Sequence, residues 1–360
     1  MRRLLPRRAL RRAFTLVELL IAIAIATFVV AALYNLFTVQ LKQFLYQDLQ
    51  MEMHQNIRLA MDVLTRTARN AGMGTNGEVA GALGLSGSPD ATLPAIISYD
   101  GAGPFGSDAV TFVSMDPDLV MYSDADYLVD CAGSEIYFDI STPGYVAKLG
   151  ELQTDEYLLC YDGTSPVDRG TYLWQIDGVE LTTGQVDLDS SIATLNDFSA
   201  ICPSGENMPV AMQCSRAEII TFYIDADDSD GIGAGSADHP VLMMDLDYES
   251  PDDDDVPVVD HVEDLQLEYC YASNQPCGSG SWNNSVDTNS DGDSSNDPDD
   301  VYMVRVTVVV RSSREDLNDA YAGAPLSVAN NSGSGESDHY YRQVLSSEVA
   351  VRNMRSLQWQ

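Results

Sequence analysis

Glu18 is a carboxylate inside an otherwise apolar stretch. The stretch runs from Phe14 to Leu33 and reads FTLVELLIAIAIATFVVAAL, so that Thr15 and Thr27 are its only other polar members. A charged carboxylate at the middle of a membrane costs on the order of 2.5 to 3.5 kcal/mol. The cost is smaller near the interface, so a carboxylate close to the headgroups could also be tolerated there without a partner. A cationic partner, and with it ion pairing, is the chemistry that its position favours.

Two acidic loops have a composition that suits a metal ion. Residues 287–293 read DTNSDGD, with oxygen-bearing side chains at the first, third and fifth positions and glycine at the sixth, as in loops that wrap one calcium ion. The second loop, 225–230, is less regular. The candidate ligands are Asp287, Asn289, Asp291 and Asp293 in the first loop and Asp225, Asp227 and Asp230 in the second. A solvated loop without metal is the alternative for both. In the first loop, Pro298 stands at the twelfth position, where a calcium loop has a bidentate acid.

An even number of cysteines lies in the part of the chain that follows residue 70. The six residues are Cys131, Cys160, Cys202, Cys214, Cys270 and Cys277. This distribution predicts disulfides formed in an oxidising compartment outside the cytoplasm. The short loops Cys202–Cys214 and Cys270–Cys277 are the easiest to close and would leave Cys131 with Cys160, although other pairings and buried free thiols remain open.

Enzymatic and nucleic-acid-binding classes are disfavoured. The four histidines form no HExxH pair, and the sequence has no GxSxG, Walker or GxGxxG motif. The formal net charge is −36, whereas a general nucleic-acid binder needs a basic surface to release phosphate counterions. We therefore expect a protein that is not an enzyme, needs no cofactor other than the calcium considered above, and does not bind nucleic acid.

A single long helix must position Glu18. From Phe14 to Ala71 the sequence contains no glycine and no proline, which predicts a helix of about 87 Å that ends at Gly72. Its first twenty residues, 14–33, are long enough to span a membrane. Apolar residues then recur every three or four positions and should pack on the rest of the protein: Leu45, Leu49, Met53, Ile57, Ala60, Leu64, Ala68 and Ala71.

The charges indicate how this helix is oriented. Residues 1–13 contain six arginines and no acid, and the positive-inside rule places them in the cytoplasm. The region after Asn70 contains 9 basic and 51 acidic residues, so the acidic part is predicted to lie outside the cytoplasm.

The acidic region, residues 72–360, alternates with period two in several segments. Turn-forming residues separate these segments, as antiparallel strands require, and an inserted subdomain is expected at about 114–216. The fold class is therefore α+β, with a long helix on a mostly antiparallel β head that has long acidic loops. The predicted strands are Ala109–Val113, Glu218–Ile224, Val241–Leu246, Val262–Tyr271, Val301–Val310 and Ser347–Val351.

Residues 12–20, RAFTLVELL, closely resemble the prepilin signature of type IV pilins and type II secretion pseudopilins. In that family a membrane aspartyl peptidase cuts before the phenylalanine and methylates the new amino terminus. The glutamate five residues in pairs with the amino group of a neighbouring subunit. The resemblance implies a leader at 1–13, cleavage between Ala13 and Phe14, N-methylation of Phe14 and an assembly role for Glu18.

Later segments resemble PilW-type minor pilins and the J-type pseudopilin in the same order. These segments are 57–72, 262–269, 304–311 and 347–353, and the length of the chain favours the PilW-like interpretation. The resemblance implies a type IV pilin-like fold and a role in pilus assembly or initiation. It also implies prepilin peptidase and other minor and major pilins as partners. The protein would be held in the inner membrane by one helix and later reside at a pilus tip. The alternatives are a J-type pseudopilin of type II secretion and a calcium-dependent adhesin on a pilin anchor.

Overall fold

The chain divides into two compact units, Met1–Glu52 and Met53–Gln360. The computed structural model describes residues 15–74, 78–80, 92–123, 135–154, 156–161, 171–188, 212–227, 235–237, 239–246, 255–284, 286, 301–316, 323–333 and 338–351.

Helix α1 runs from Leu16 to Asn70 and belongs to both units. Its residues up to Glu52 lie in the first unit, and its residues from Met53 onward begin the second. Its 55 residues confirm the single helix expected from the lack of glycine and proline. An 18-residue stretch of this helix has a mean hydropathy of 2.7. The helix is therefore long and apolar enough to cross a membrane. The helix ends before Gly72, whose φ of 73° is a left-handed conformation that glycine adopts readily.

The larger sheet of the second unit follows the path β12-β11-β10-β7-β8-β1-β2, with β3, β4, β5, β6 and β9 paired beside it. All its pairings are antiparallel except that of β1 with β8. A short helix, α2 (Tyr145–Leu149), lies between β6 and β7 in sequence. The strands are β1 (Glu78–Ala80), β2 (Thr92–Pro94), β3 (Ile96–Tyr99), β4 (Ala109–Met115), β5 (Met121–Tyr122), β6 (Glu135–Tyr137), β7 (Tyr157–Tyr161), β8 (Thr171–Glu180), β9 (Gln185–Leu188), β10 (Gln213–Asp225), β11 (Val241–Asp245) and β12 (Val256–Asp260).

The smaller sheet consists of β13 (Val262–Tyr271), β14 (Val301–Arg311) and β15 (Arg342–Ala350), in that order and antiparallel. All six strands expected from the alternation are confirmed, although several are longer than predicted. The largest differences are in β10, which begins at Gln213 rather than at Glu218, and in β15, which begins at Arg342 rather than at Ser347. The first residues of β15 are mostly polar and give no apolar alternation.

One hydrophobic core joins the carboxyl-terminal half of α1 to both sheets. The predicted stripe is confirmed from Met53 onward, where Ile57, Leu64 and Ala68 are buried among the valines of β14. Alternate residues of β14 supply that surface, since Val304, Val306, Val308 and Val310 are all fully buried. By contrast, Leu45 is 39% exposed.

The disulfides differ in part from the expected pairing. Cys270–Cys277 is confirmed. The predicted pairing of Cys202 with Cys214 is wrong, because Cys214 is bonded to Cys160. The same bond shows that the predicted pairing of Cys131 with Cys160 is wrong. Cys160 on β7 lies directly opposite Cys214 on β10, so strand register decided the partner and sequence proximity did not. Cys131 and Cys202 themselves lie outside the described residues.

This disulfide lies in a second hydrophobic core of the head. Buried residues from β5, β6, α2, β7, β8 and β9 surround Trp174, which is 2% exposed. The described part of the region that was expected to form an inserted subdomain therefore has a core of its own.

Candidate functional site

Glu18 lies in the first turn of α1, and its carboxylate caps the amino terminus of the helix. Its Oε2 accepts hydrogen bonds from the backbone N–H of Thr15 and from the Thr15 hydroxyl, both at 3.0 Å. In return, the Glu18 N–H donates to Thr15 Oγ1 at 3.3 Å. This reciprocal arrangement is a capping box, which satisfies amide donors that a helix start otherwise leaves unpaired.

The capping role of Glu18 was missed in the sequence, although the Thr-x-x-Glu pattern at residues 15–18 was a signal for it. A carboxylate is also favoured at a helix amino terminus by the helix dipole. Because the Glu18 side chain is exposed, it can meet a cation from another molecule without leaving its own helix cap. Ala13 and Phe14, the predicted processing residues, lie outside the described residues.

Polar contacts fix the carboxyl-terminal half of α1 on the head. Asn56 Nδ2 donates to the backbone oxygen of Asp260 at 3.0 Å. His54 Nδ1 and Gln343 Nε2 are 2.9 Å apart, with the glutamine amide as donor. The first bond ties the helix to β12 of the larger sheet, and the second ties it to β15 of the smaller sheet.

The acidic loops give no described metal site. Residues 287–293 lie outside the described residues, as does Asp230. Asp225 is described and buried, and its two carboxylate oxygens accept hydrogen bonds from the backbone N–H groups of Asp227 and Gly235. Within the described part of the chain, no three acidic, histidine or cysteine side chains come together as metal ligands. Asp225 therefore links the end of β10 to the described residues 227 and 235.

Two buried carboxylates, one beside β13 and one within it, were not anticipated from the sequence. Asp108 accepts hydrogen bonds from the backbone N–H groups of Gly101 and Leu267. Asp264 accepts them from the side-chain amides of Gln266 and Asn331. Burial raises the pKa of Asp108 to about 6 and that of Asp264 to about 7. The sequence did not reveal them, because one partner of each carboxylate comes from a distant segment: Leu267 for Asp108 and Asn331 for Asp264.

Arg342 forms a buried ion-pair network at the start of β15. Its side chain is 4% exposed and donates to both oxygens of Glu263 and both oxygens of Asp338. Two bidentate carboxylate partners satisfy the planar guanidinium in a way that lysine could not. The network ties β13, β15 and the segment before β15 together.

Comparison with known protein families identifies two parts of the chain. Residues 8–34 match the family model of the prokaryotic N-terminal methylation motif. Residues 221–353 match that of the type IV pilus-assembly protein W. The chain carries a PilW-like prepilin signature. The second match covers β11 to β15 and the end of β10, and thus the smaller sheet on which α1 packs.

These two matches support a minor pilin in type IV pilus assembly. No curated protein matches the chain. Among solved structures, the type IV-like pilin TTHA1219 from Thermus thermophilus is 11% identical, and the alignment covers 84% of this chain and 97% of that one. Its TM-score of 0.34 is too low to carry an argument about the fold. The matches point to a structural subunit, a class that is usually not enzymatic, and the apolar helix fits a membrane anchor of the pilin type.

Proposed function

We propose that the chain is a PilW-like minor pilin that prepilin peptidase cleaves between Ala13 and Phe14 and methylates at Phe14. The observation that carries this proposal is the co-occurrence of two family matches on one helix-and-head architecture. The N-terminal methylation motif covers the start of α1, and the PilW match covers the sheet on which the same helix packs.

The membrane topology follows from charge and helix length. The six arginines in residues 1–13 stay in the cytoplasm, α1 crosses the inner membrane once, and the acidic head lies outside. Removal of the leader takes away six positive charges and leaves the helix start available for assembly.

The exposed surface of α1 supports burial against other pilin helices. Beyond Leu33, the last residue of the predicted span, Leu36, Phe37, Leu41 and Phe44 are each at least half exposed. Large apolar side chains outside a membrane usually mark a contact surface. A bundle of pilin helices covers them, and Glu18 within that bundle neutralises the amino terminus of a neighbouring subunit.

A low-copy position at the pilus tip suits the size and charge of the head. Roughly 290 residues follow the helix, and they contain 51 acidic residues against 9 basic ones. Repulsion between many such heads would oppose a repeating lattice, whereas a single copy at the tip avoids it. The head then takes part in initiating the filament.

Sheared pili provide the test of this function. Quantitative mass spectrometry of purified pili should find the protein at a small fraction of the major pilin, and its deletion should reduce the number of pili. Absence from pili, together with a secretion defect in the deletion strain, would instead favour the J-type pseudopilin of a type II secretion machine. The neighbouring genes distinguish the same two alternatives, since genes for pilus components would favour the minor pilin and genes for a secretion system would favour the pseudopilin.

A further inference from the structure

A cavity of about 200 Å³ lies on the face of the smaller sheet that is opposite α1. Asp264, Val309, Arg311 and Arg342 from the three strands contribute to its wall. They alternate with the residues that face the helix, so they project to the other side of the sheet. Neither the helix nor the prepilin signature involves this cavity.

The charges around the cavity do not balance. Among the described residues that line it, Glu263, Asp264 and Asp338 supply three carboxylates, whereas Arg311 and Arg342 supply two guanidinium groups. When fully ionised, this described lining carries one excess negative charge. One added monovalent cation would neutralise it.

The excess charge is located at Asp264. Arg342 is engaged by Glu263 and Asp338. The other cation, Arg311, donates to the backbone oxygen of Ala237 and stacks on a tyrosine ring. Among the ion pairs formed between described residues, none includes Asp264, although this side chain is 5% exposed. A buried carboxylate without a counterion favours the entry of a cation.

The rim of the cavity is apolar. Phe105 is 45% exposed and Leu326 is 37% exposed, and Pro325 lies beside them. Phe105 has φ 58° and ψ 13°, a left-handed conformation that a bulky residue seldom adopts without a constraint. An exposed aromatic side chain therefore lines the same cavity as the buried Asp264 carboxylate.

We propose that this cavity binds a primary alkylammonium group, the chemistry of a lysine side chain. The methylene stem lies between Phe105 and Leu326, and the ammonium group lies beside Asp264. The volume suits one such group, because sites for drug-sized ligands usually exceed about 300 Å³. This binding is independent of the pilin function proposed above.

The protonation of Asp264 sets the pH range of binding. Burial raises the pKa of this carboxyl group to about 7, and the charges of Asp108 and Glu263 act in the same direction, whereas the amides of Gln266 and Asn331 oppose it. The carboxylate is thus ionised at pH 8.5, where an alkylammonium with a pKa of about 10.4 still carries its proton. At pH 5 the carboxyl group is neutral and the attraction is lost.

Thermal unfolding of the full chain in detergent, with n-butylammonium chloride as the probe, tests this proposal. At pH 8.5, about 100 mM probe should raise the unfolding midpoint by about 2 °C over equal sodium chloride. Neither n-butanol at pH 8.5 nor the probe at pH 5 should do so. The variant Asp264→Asn should lose the response, whereas Glu268→Gln, on the same face beside Arg305, should keep it.

The variant Phe105→Gly separates binding from folding. Glycine relieves the left-handed backbone, so the midpoint without probe should not fall, while the response to n-butylammonium should decrease several-fold. An equal response from the wild type, Asp264→Asn and Phe105→Gly would overturn the proposal, as would no response in the wild type. N-acetyl-lysine methylamide distinguishes the two sources: a response to it assigns the site to a lysine of a polypeptide, and a response to n-butylammonium alone assigns it to free amines.

Discussion

The Glu18 carboxylate accepts two hydrogen bonds from Thr15, and both end on the same oxygen, Oε2. The residue assigned to subunit assembly thus also caps its own helix. In the processed chain Phe14 and Thr15 would be the first two residues, so the cap lies directly beside the new amino terminus. The cap would orient the carboxylate before a neighbouring subunit arrives, which lowers the entropy cost of pairing.

Substitutions at Glu18 separate its charge from its capping role. Glu18→Ala should leave membrane insertion intact and reduce incorporation into pili by about 10-fold or more, because a terminal amine would remain unpaired in lipid. Glu18→Gln keeps an oxygen that accepts from Thr15 but has no charge. It should fail to the same extent, as measured by immunoblotting of sheared pili.

Thr15→Ala is the matched control for these variants. It removes the hydroxyl of the cap but retains the Glu18 carboxylate, at a cost of about 1 kcal/mol in helix stability. Incorporation should remain close to that of the wild type. If Glu18→Gln assembled normally while Thr15→Ala did not, the role of Glu18 would be capping and the ion-pairing account would be wrong.

The docking of α1 on the head depends on its buried stripe. Leu64→Ala should lower the free energy of unfolding of the solubilised chain by about 2 to 5 kcal/mol, because Leu64 is fully buried in the main core. Leu59→Ala is the control on the same helix, since Leu59 is 50% exposed, and its cost should stay within about 0.5 kcal/mol. Urea unfolding measures both, and equal effects would contradict the packing described here.

The buried acids predict a pH dependence of stability. The pKa of Asp264 is about 7 in the folded chain, above its usual value of 3.8, so the native state binds more protons than the unfolded state between these values. The stabilisation that comes from the protonated Asp264 is therefore complete below about pH 4 and is lost as the pH rises through about 7. Relative to the wild type, Asp264→Asn should unfold a few degrees higher at pH 8 but not at pH 4.5.

Asp177→Asn removes the same charge from an exposed position of β8 and is the control for this comparison. Its midpoint should differ little from that of the wild type at both pH values. A stabilisation of Asp264→Asn that did not change with pH would show that new contacts of the asparagine amide, rather than relief of a buried carboxylate, were responsible.

Calcium binding at residues 287–293 stays a prediction. Calorimetry of the full chain should detect binding with a Kd on the order of 10⁻⁴ to 10⁻³ M, the range of extracellular calcium modules. Asp291→Asn should abolish it, while Asp177→Asn should not. If calcium gave no heat of binding and did not change the stability of the chain, the calcium site would be contradicted. The calcium-dependent adhesin would then be excluded as well.

Local patterns predicted the elements whose residues are close in sequence. The strand Val262–Tyr271 was predicted with its observed bounds, because its apolar residues alternate and face the core. The pair Cys270–Cys277 was also within reach, since seven residues separate its members. The lack of glycine and proline predicted α1 to within two residues at each end.

Long-range contacts could not be obtained in this way. Cys160 and Cys214 are 54 residues apart and meet only because β7 and β10 are neighbours in register. Asp264 and Asn331 are 67 residues apart, and nothing near either residue indicates that they form a hydrogen bond. The cavity beside Asp264 depends on such contacts, so the sequence alone gave no indication of it.

The mature amino terminus is the most direct test of the proposed function. Mass spectrometry of the protein from cells with prepilin peptidase should find a chain that begins at N-methylated Phe14 and lacks residues 1–13. The same protein from a peptidase-deficient strain should retain the leader. A chain that begins at Met1 in the presence of the peptidase, or after a cut beyond Leu33, would contradict the prepilin assignment.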